Sequence, residues 1–267
     1  MFIIYLIVFI FGTFIGSFLN CVIYRIENNL SFLKGRSFCP HCKHKLGFFD
    51  LFPIFSFIFL KAKCRYCGKK ISIQYPLIEI ITGLVFILIL NFQFGYSEFS
   101  ILNLLTSIRF LYLLIASSFL IILFVYDLKH YIIPDKVIYP LIGITFFYQL
   151  IYNFQANNSS FWSFLLSAFG AAGFFFLIWL FSKGKCMGFG DVNLAFFMGL
   201  FLGWPNILVA LFSAFFIGAI IGIGLIVLGK KKLKSQIPFG PFLITGTFLA
   251  LFWVQNLINW YLDFLLL

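Results

Sequence analysis

Long apolar runs separated by short polar connections make up most of the chain. An α-helix needs about 20 apolar residues to cross roughly 30 Å of hydrocarbon. The pattern therefore predicts an all-α polytopic membrane protein with about eight transmembrane helices, the sixth of them short, Gly-interrupted and tilted or re-entrant. The predicted helices are residues 1–24, 76–94, 108–126, 137–154, 161–181, 194–203, 207–228 and 239–262.

The first apolar run has the position of a signal peptide but not its features. It lacks a basic segment before the apolar stretch and a small-x-small cleavage site, so we expect a retained transmembrane helix. Composition supports a membrane protein, because 63% of the residues are hydrophobic and only 10% are charged. The core of a soluble protein does not need that much apolar surface.

The positive charges predict the orientation in the membrane. Eighteen of the 19 Lys and Arg residues fall on one side of an eight-helix arrangement, and Arg109 falls on the other. Loops rich in Lys and Arg face the cytosol, so we expect both termini on the extracytoplasmic side. This bias, with attraction to anionic headgroups of the lipid bilayer, explains the net charge of +11. A nucleic-acid partner is not required.

Residues 25–75 interrupt the apolar pattern and predict a small soluble cytosolic domain. Two C-x-x-C pairs, Cys39/Cys42 and Cys64/Cys67, are separated by 21 residues. Four thiolates on two tight turns suit a structural, tetrahedral zinc site, which a segment this small needs in order to fold. The alternatives are two disulfides, which a reducing cytosol disfavours, or redox dithiols. The predicted domains are residues 1–24, 25–75 and 76–267.

Two further cysteines have no sequence partner. Cys21 lies in the first predicted helix and is expected to pack as a small apolar residue. Cys186 lies beside a glycine-rich turn, but no histidine is near it in sequence, so we do not expect it to be a nucleophile.

Four of the eight acidic residues fall at the cytosolic membrane boundary: Glu79, Asp127, Asp135 and Asp191. Ionisable residues at such depth are candidates for function. Asp135 follows Pro134 and fits a helix N-cap, and capping is one reading of Asp191 as well. Asp127 closes a helix, where the helix dipole disfavours an anion. Stability does not explain an acid in that position, so chemistry is the better hypothesis.

Two carboxylates near the membrane surface can act as an aspartic protease pair. When they lie close together they share one proton and activate a water molecule against an amide carbonyl. By this hypothesis Asp191, at a helix N-terminus, is the ionised base, and Asp127 holds the proton. Gly188 and Gly190 allow positive φ or a close approach of backbone beside Asp191.

Six motifs occur in order along the chain, and together they resemble the bacterial type IV prepilin peptidases, membrane aspartic proteases of the GxGD class. They cover nearly the whole chain. The motifs are "GSFLNCVIYR" (16–25), the paired C-x-x-C sequences (39–42 and 64–67), "YPLIE" (75–79), "DLKHYIIPD" (127–135), "MGFGDVNL" (187–194) and "IPFGPFL" (237–243).

The resemblance implies a plasma-membrane enzyme that removes the basic leader of prepilins or pseudopilins at a Gly–Phe type of junction on the cytosolic side. It implies that Asp127 and Asp191 are catalytic and that Asp135 supports them. It also implies N-methylation of the new terminus with S-adenosylmethionine. Glu79 lies in the "YPLIE" motif and is expected to pair with a cytosolic cation or to serve methyl transfer.

The sequence departs from the family pattern after the glycine turn, where Asn193 replaces the usual lysine. Three alternatives stay open: the same fold with peptidase activity only, a proton-coupled transporter using Asp127 and Asp191, and a thiol redox protein using the C-x-x-C pairs. Helix centres almost free of polar residues disfavour the transporter. The sequence indicates neither the particular pilin nor an oligomeric state.

Overall fold

The computed structural model describes residues 2–31, 35–95, 108–155, 160–184, 187–229 and 237–265. Cys186 lies outside these residues, as do Lys185, the basic residues at 230–234 and most of the polar connection at 156–159. The prediction about Cys186 and part of the charge pattern used for orientation therefore concern residues outside the described ranges.

The described residues are mainly α-helical, and eight helices, seven of them with 21 residues or more and one with 14, occupy the eight predicted apolar runs. The helices are α1 (Phe2–Glu27), the short α2 (Phe55–Phe59), α3 (Gln74–Phe94), α4 (Ile108–His130), α5 (Asp135–Gln155), α6 (Ser160–Ser182), α7 (Phe189–Leu202), α8 (Asn206–Val227) and α9 (Gly240–Leu265). A 3₁₀ turn spans Phe48–Leu51. The predicted all-α fold is confirmed.

Six of the helices in the described ranges are long and apolar enough to cross a membrane: α1, α3, α4, α6, α8 and α9. Helix α7 is a shorter apolar helix. Helix α5 has 21 residues but carries the buried polar side chains of Gln149 and Asn153. Large apolar side chains such as those of Phe212 and Ile223 are exposed on the helices, as lipid-facing residues are.

The chain forms two compact units, Met1–Ile122 and Leu123–Leu267, and the boundary falls inside α4. In the first unit α1 and α3 pack closely through glycines. A Cβ added at Gly12 would lie 2.7 Å from the Cα of Gly83, and one added at Gly16 would lie 2.7 Å from the Cα of Glu79. Small residues allow this close approach of two membrane helices.

In the second unit the buried helix α7 packs against α5, α6, α8 and α9. The backbone of α6 at Ala168 lies directly beside Gly199 of α7. The Gln149 amide of α5 donates to the carbonyl oxygen of Leu200 at 3.1 Å. Because protein surrounds α7, it is apolar on every face although it is short. The predicted division into domains at residues 24 and 75 stays a prediction.

Candidate active site and metal centre

Asp127 lies in the last turn of α4, three residues before the helix ends at His130. Its side chain is only 4% exposed, and its Oδ2 atom has no hydrogen bond of good geometry among the described residues, although the Gly240 backbone N–H interacts with the carboxyl group. The carboxylate lies against the start of α9, where a Cβ added to Gly240 would be 2.6 Å from Oδ2. A buried carboxylate oxygen without a hydrogen bond of good geometry is costly for stability, which makes it a candidate for chemistry.

Asp191 is the third residue of α7 and is buried. The N-cap of this helix is Gly188, and the carbonyl oxygen of Gly188 accepts the Asp191 N–H at 3.2 Å. The interpretation of Asp191 as an N-cap is therefore wrong, because the helix begins five residues before the predicted apolar run at 194. In the first turn, Asp191 benefits from the positive end of the helix dipole.

The structure brings Asp127 and Asp191 together in the second unit. The two carboxylates interact electrostatically, and Ile133 connects their surroundings. A Cβ added to Gly190 would lie 2.8 Å from the Ile133 Cβ, and one added to Gly240 would lie 3.5 Å from the Ile133 Cδ1. The two acids therefore share a site bordered by glycine backbone.

The glycines at this site have different roles. Gly190 permits a close approach to Ile133, because an added Cβ would lie 2.8 Å from the Ile133 Cβ. Gly188 has a φ of −77°, and its added Cβ would meet the Gly190 nitrogen at an ordinary 3.9 Å, so its backbone does not require glycine. Gly240 was missed as a site residue, and its only sequence signal was the "IPFGPFL" motif.

The two C-x-x-C segments of the first unit form two knuckles of the same design, related by an offset of 25 residues in the chain. In the first knuckle the Cys39 N–H donates to the carbonyl of His44, and in the second the Cys64 N–H donates to that of Lys69. Each knuckle is closed by one isolated antiparallel bridge. The bridges join Phe38 to Lys45 and Lys63 to Lys70.

The four thiols converge between the knuckles. Their sulfur atoms all lie within 4.8 Å of one another, and those of Cys39 and Cys67 are 3.9 Å apart. A tetrahedron with Zn–S bonds of about 2.3 Å requires sulfur atoms about 3.8 Å apart. All four cysteines are free, as metal ligands are. The ring of His44 packs on Tyr66, with centroids 3.7 Å apart.

Cys39 favours the thiolate form, whereas Cys67 favours the thiol. At Cys67 the backbone bond from Lys69 lowers the pKa, but burial and hydrogen bonds with the other three cysteines outweigh it and raise the pKa to about 11. Burial raises the pKa of the Cys39 thiol, but hydrogen bonds from the backbone of Cys42 and His41 outweigh it and lower the pKa to about 7. Thiolate is the form that binds a metal ion. The four-cysteine cluster therefore has the geometry and the chemistry to hold one metal ion.

Two family models match the chain. The Bacterial Peptidase A24 N-terminal domain matches residues 10–93, which include the four cysteines. The Type IV leader peptidase family matches residues 114–223, which include Asp127 and Asp191. A protein of Legionella pneumophila named prepilin leader peptidase/N-methyltransferase is 31% identical, over 97% of this chain and 95% of its own length.

A protein of Bacillus subtilis (strain 168) with the same name is 33% identical, over 96% of this chain and 97% of its own length. The chain belongs to the type IV leader peptidase family. No solved structure matches it significantly.

Three other residues singled out from the sequence lie at separate positions in the fold: Asp135, Asn193 and Glu79. The Pro134 carbonyl accepts the Ile138 N–H, which makes Pro134 the N-cap of α5. Asp135 is therefore the first helical residue and is exposed, so its prediction as the cap was wrong by one position. The Asn193 amide lies 3.4 Å from the Tyr139 hydroxyl and joins α7 to α5.

Glu79 of this family member lies in the first unit and is buried. Its Oε2 accepts the backbone N–H of Ile54 at 2.7 Å, and it also bonds the hydroxyl of Ser17. Glu79 makes no ion pair among the residues with described positions, whereas Asp50 in the same unit pairs with Arg65. The expected cation partner of Glu79 is thus replaced by a backbone N–H.

Proposed function

We propose that this chain is a membrane aspartic endopeptidase that cleaves the basic leader of type IV prepilins or pseudopilins, and that it N-methylates the new N-terminus. The observation that carries the proposal is the pairing of Asp127 with Asp191 at a buried, glycine-bordered site. Membership of the type IV leader peptidase family and the names of the relatives support it.

The two carboxylates divide the work of hydrolysis. Asp191, in the first turn of α7, takes a proton from a water molecule whose oxygen attacks the scissile carbonyl carbon. Asp127, whose Oδ2 has no hydrogen bond of good geometry among the described residues, gives its proton to the carbonyl oxygen. When the tetrahedral intermediate collapses, one of its hydroxyl groups returns a proton to Asp127, the C–N bond breaks, and the leaving amine takes up the proton held by Asp191.

We propose that the dyad faces the cytosol in a bacterial plasma membrane. Lys129, in the last turn of α4, and Lys136, in the first turn of α5, are both exposed at the end of the helices where Asp127 lies. Lys183, after α6, adds a third exposed cation. Cations collect on the cytosolic side of membrane proteins. Both termini then lie on the extracytoplasmic side.

The metal of the four-cysteine cluster is proposed to be zinc with a structural role. Cys39, Cys42, Cys64 and Cys67 would hold it. A shell of four thiolates leaves no open position for substrate, so the metal stabilises the two knuckles and takes no part in hydrolysis. Methyl transfer is proposed from the names of the relatives, with S-adenosylmethionine as donor. We assign no described residue to that donor and derive no step of the transfer.

The proposal is tested with the full chain in detergent and a prepilin that carries a Gly–Phe junction. We expect cleavage between Gly and Phe, and an added mass of one methyl group on the product only when S-adenosylmethionine is present. A prepilin with Gly→Asp at the junction is the control and should stay intact. Cleavage without the added methyl would mean a peptidase only. An intact wild-type substrate would contradict the proposal and favour the transporter.

A further inference from the structure

The segment between the two knuckles, residues 48–60, exposes an unusual number of large apolar side chains. Phe49 is 77% exposed and Phe59 is 80% exposed. Phe48, Phe55 and Ile58 are each more than half exposed as well. A water-soluble loop rarely carries so large an apolar patch, so the patch requires an apolar environment.

The segment lies against the membrane-spanning part of α1. The ring of Phe52 packs edge-to-face on that of Phe14, with centroids 5.4 Å apart. Phe14 is ten residues from Tyr24, where the first apolar run ends. With a rise of about 1.5 Å per residue, that contact lies roughly 15 Å below the end of the run.

Glu79, a residue of α3, ties the turn of the segment to both α3 and α1. Its carboxylate accepts the N–H of Ile54 at 2.7 Å and the hydroxyl of Ser17 in α1. Ile54 has a φ of 62°, which is unfavourable for a β-branched residue. A buried acceptor that bonds the Ile54 N–H compensates part of that strain.

The backbone donors at the turn have partners inside the protein. Pro53 has no N–H, and its carbonyl accepts the Phe55 N–H. The Ser56 N–H donates to the Phe52 carbonyl, and Glu79 takes the Ile54 N–H. Non-helical backbone at membrane depth is tolerated only when its polar groups are satisfied in this way.

The apolar segment is flanked by cations on both sides. Exposed lysines precede it on the first knuckle and follow it on the second: Lys43, Lys45, Lys61, Lys63, Lys69 and Lys70. An apolar patch beside a cationic rim matches the boundary between acyl chains and anionic headgroups.

We propose that residues 48–60 form a re-entrant segment that enters the leaflet next to the knuckles, with its exposed phenylalanines in contact with lipid acyl chains. The apolar surface is continuous with that of α1, where Phe14 and Phe18 are also exposed. Glu79 is the positioning residue for the turn. The re-entrant segment thereby keeps the two knuckles at the membrane surface.

The test measures the depth of Phe59 in the full chain. Trifluoromethyl-phenylalanine is placed at Phe59, with one chain per nanodisc of zwitterionic and anionic phospholipid. Fluorine relaxation by dissolved oxygen, which enters the bilayer, is compared with relaxation by a water-soluble nickel chelate. Phe18, exposed on α1, is the lipid control, and Tyr66, on the second knuckle, is the water control. We expect Phe59 to match Phe18, with a ratio of oxygen to nickel effects severalfold above that of Tyr66.

Two results would overturn the proposal. Relaxation of Phe59 by the nickel chelate as strong as that of Tyr66 would place the segment in water. Weak relaxation by both reagents would show that protein covers Phe59 in a single chain. Neither result depends on peptidase activity, so this test and the test of the proposed function fail separately.

A pair of substitutions tests the role of Glu79. Glu79→Gln keeps an oxygen acceptor for the Ile54 N–H, and Glu79→Ala removes it. We expect Phe59 to stay in lipid in Glu79→Gln and to become accessible to the nickel chelate in Glu79→Ala. Retained metal at the four cysteines shows that the knuckles are folded in both variants. Equal behaviour of the two variants would contradict positioning by Glu79.

Discussion

Single glycines decide whether the two carboxylates can meet. A Cβ added to Gly240 would lie 2.6 Å from Oδ2 of Asp127. Gly190 leaves room for Ile133, because a Cβ added to Gly190 would lie 2.8 Å from the Ile133 Cβ. These two contacts bring the ends of α4, α7 and α9 together around the dyad. A side chain at Gly240 would displace the Asp127 carboxylate of the proposed dyad, and one at Gly190 would displace Ile133 beside it.

Gly240→Ala therefore tests the geometry of the dyad without changing either acid. The added methyl group must displace the Asp127 carboxylate, and a displacement of about 1 Å costs on the order of a hundredfold in rate. We expect a loss of that size in kcat/KM for leader cleavage. Gly143→Ala is the matched control, because open space surrounds its added Cβ. Equal activity of the two variants would show that Asp127 does not depend on Gly240.

Residue patterns identified the two acids but not all of their surroundings. Asp127 and Asp191 were found because ionisable residues at a membrane boundary are rare and costly. Asp191 was considered as the N-cap of α7 because the apolar run begins only at residue 194, whereas the N-cap is Gly188. Gly240 was missed because its role depends on contact with Asp127, more than a hundred residues earlier in the chain. Periodicity carries no information about such a contact.

At the scale of elements, the two knuckles form one candidate metal site from two units with the same backbone pattern. Cys39 and Cys64 occupy equivalent positions, and so do Lys43 and Gly68, which both have positive φ. The sequence predicted four ligands from the two C-x-x-C pairs. It did not reveal that the backbone hydrogen bonds repeat as well, because His44 and Lys69 contribute carbonyl groups rather than side chains.

The purified chain is expected to contain one zinc ion, and Cys64→Ser is expected to lose it. Three remaining thiolates bind zinc more weakly, and the freed knuckle is no longer stabilised by metal. Cys21→Ser is the matched control, because Cys21 is outside the four-cysteine cluster. The measurement is zinc per chain by elemental analysis. A zinc-free wild type with reactive thiols would favour the redox reading instead.

At the scale of the whole molecule, hydropathy predicted the eight helices that follow the apolar runs, and their order, while its assignment of the insertion to water stays a prediction. Residues 25–75 were expected to be soluble. The apolar stretch at 48–60 contains Asp50 and Pro53 and is too short for a span, so a helix template does not detect it. Its contacts with Phe14 and Glu79 appear only after α1 and α3 are packed together. Hydropathy therefore predicts the membrane helices, but the position of residues 48–60 depends on tertiary contacts that hydropathy does not reveal.

The most direct test of the account is leader cleavage by wild type beside Asp127→Asn, Asp191→Asn and Asp135→Asn, with product mass as the readout. Asparagine keeps the size of the side chain but cannot exchange the proton. We expect a loss of about a thousandfold or more in each dyad variant, and near wild-type cleavage in Asp135→Asn, whose side chain is exposed. Normal cleavage by Asp127→Asn or Asp191→Asn would contradict the dyad.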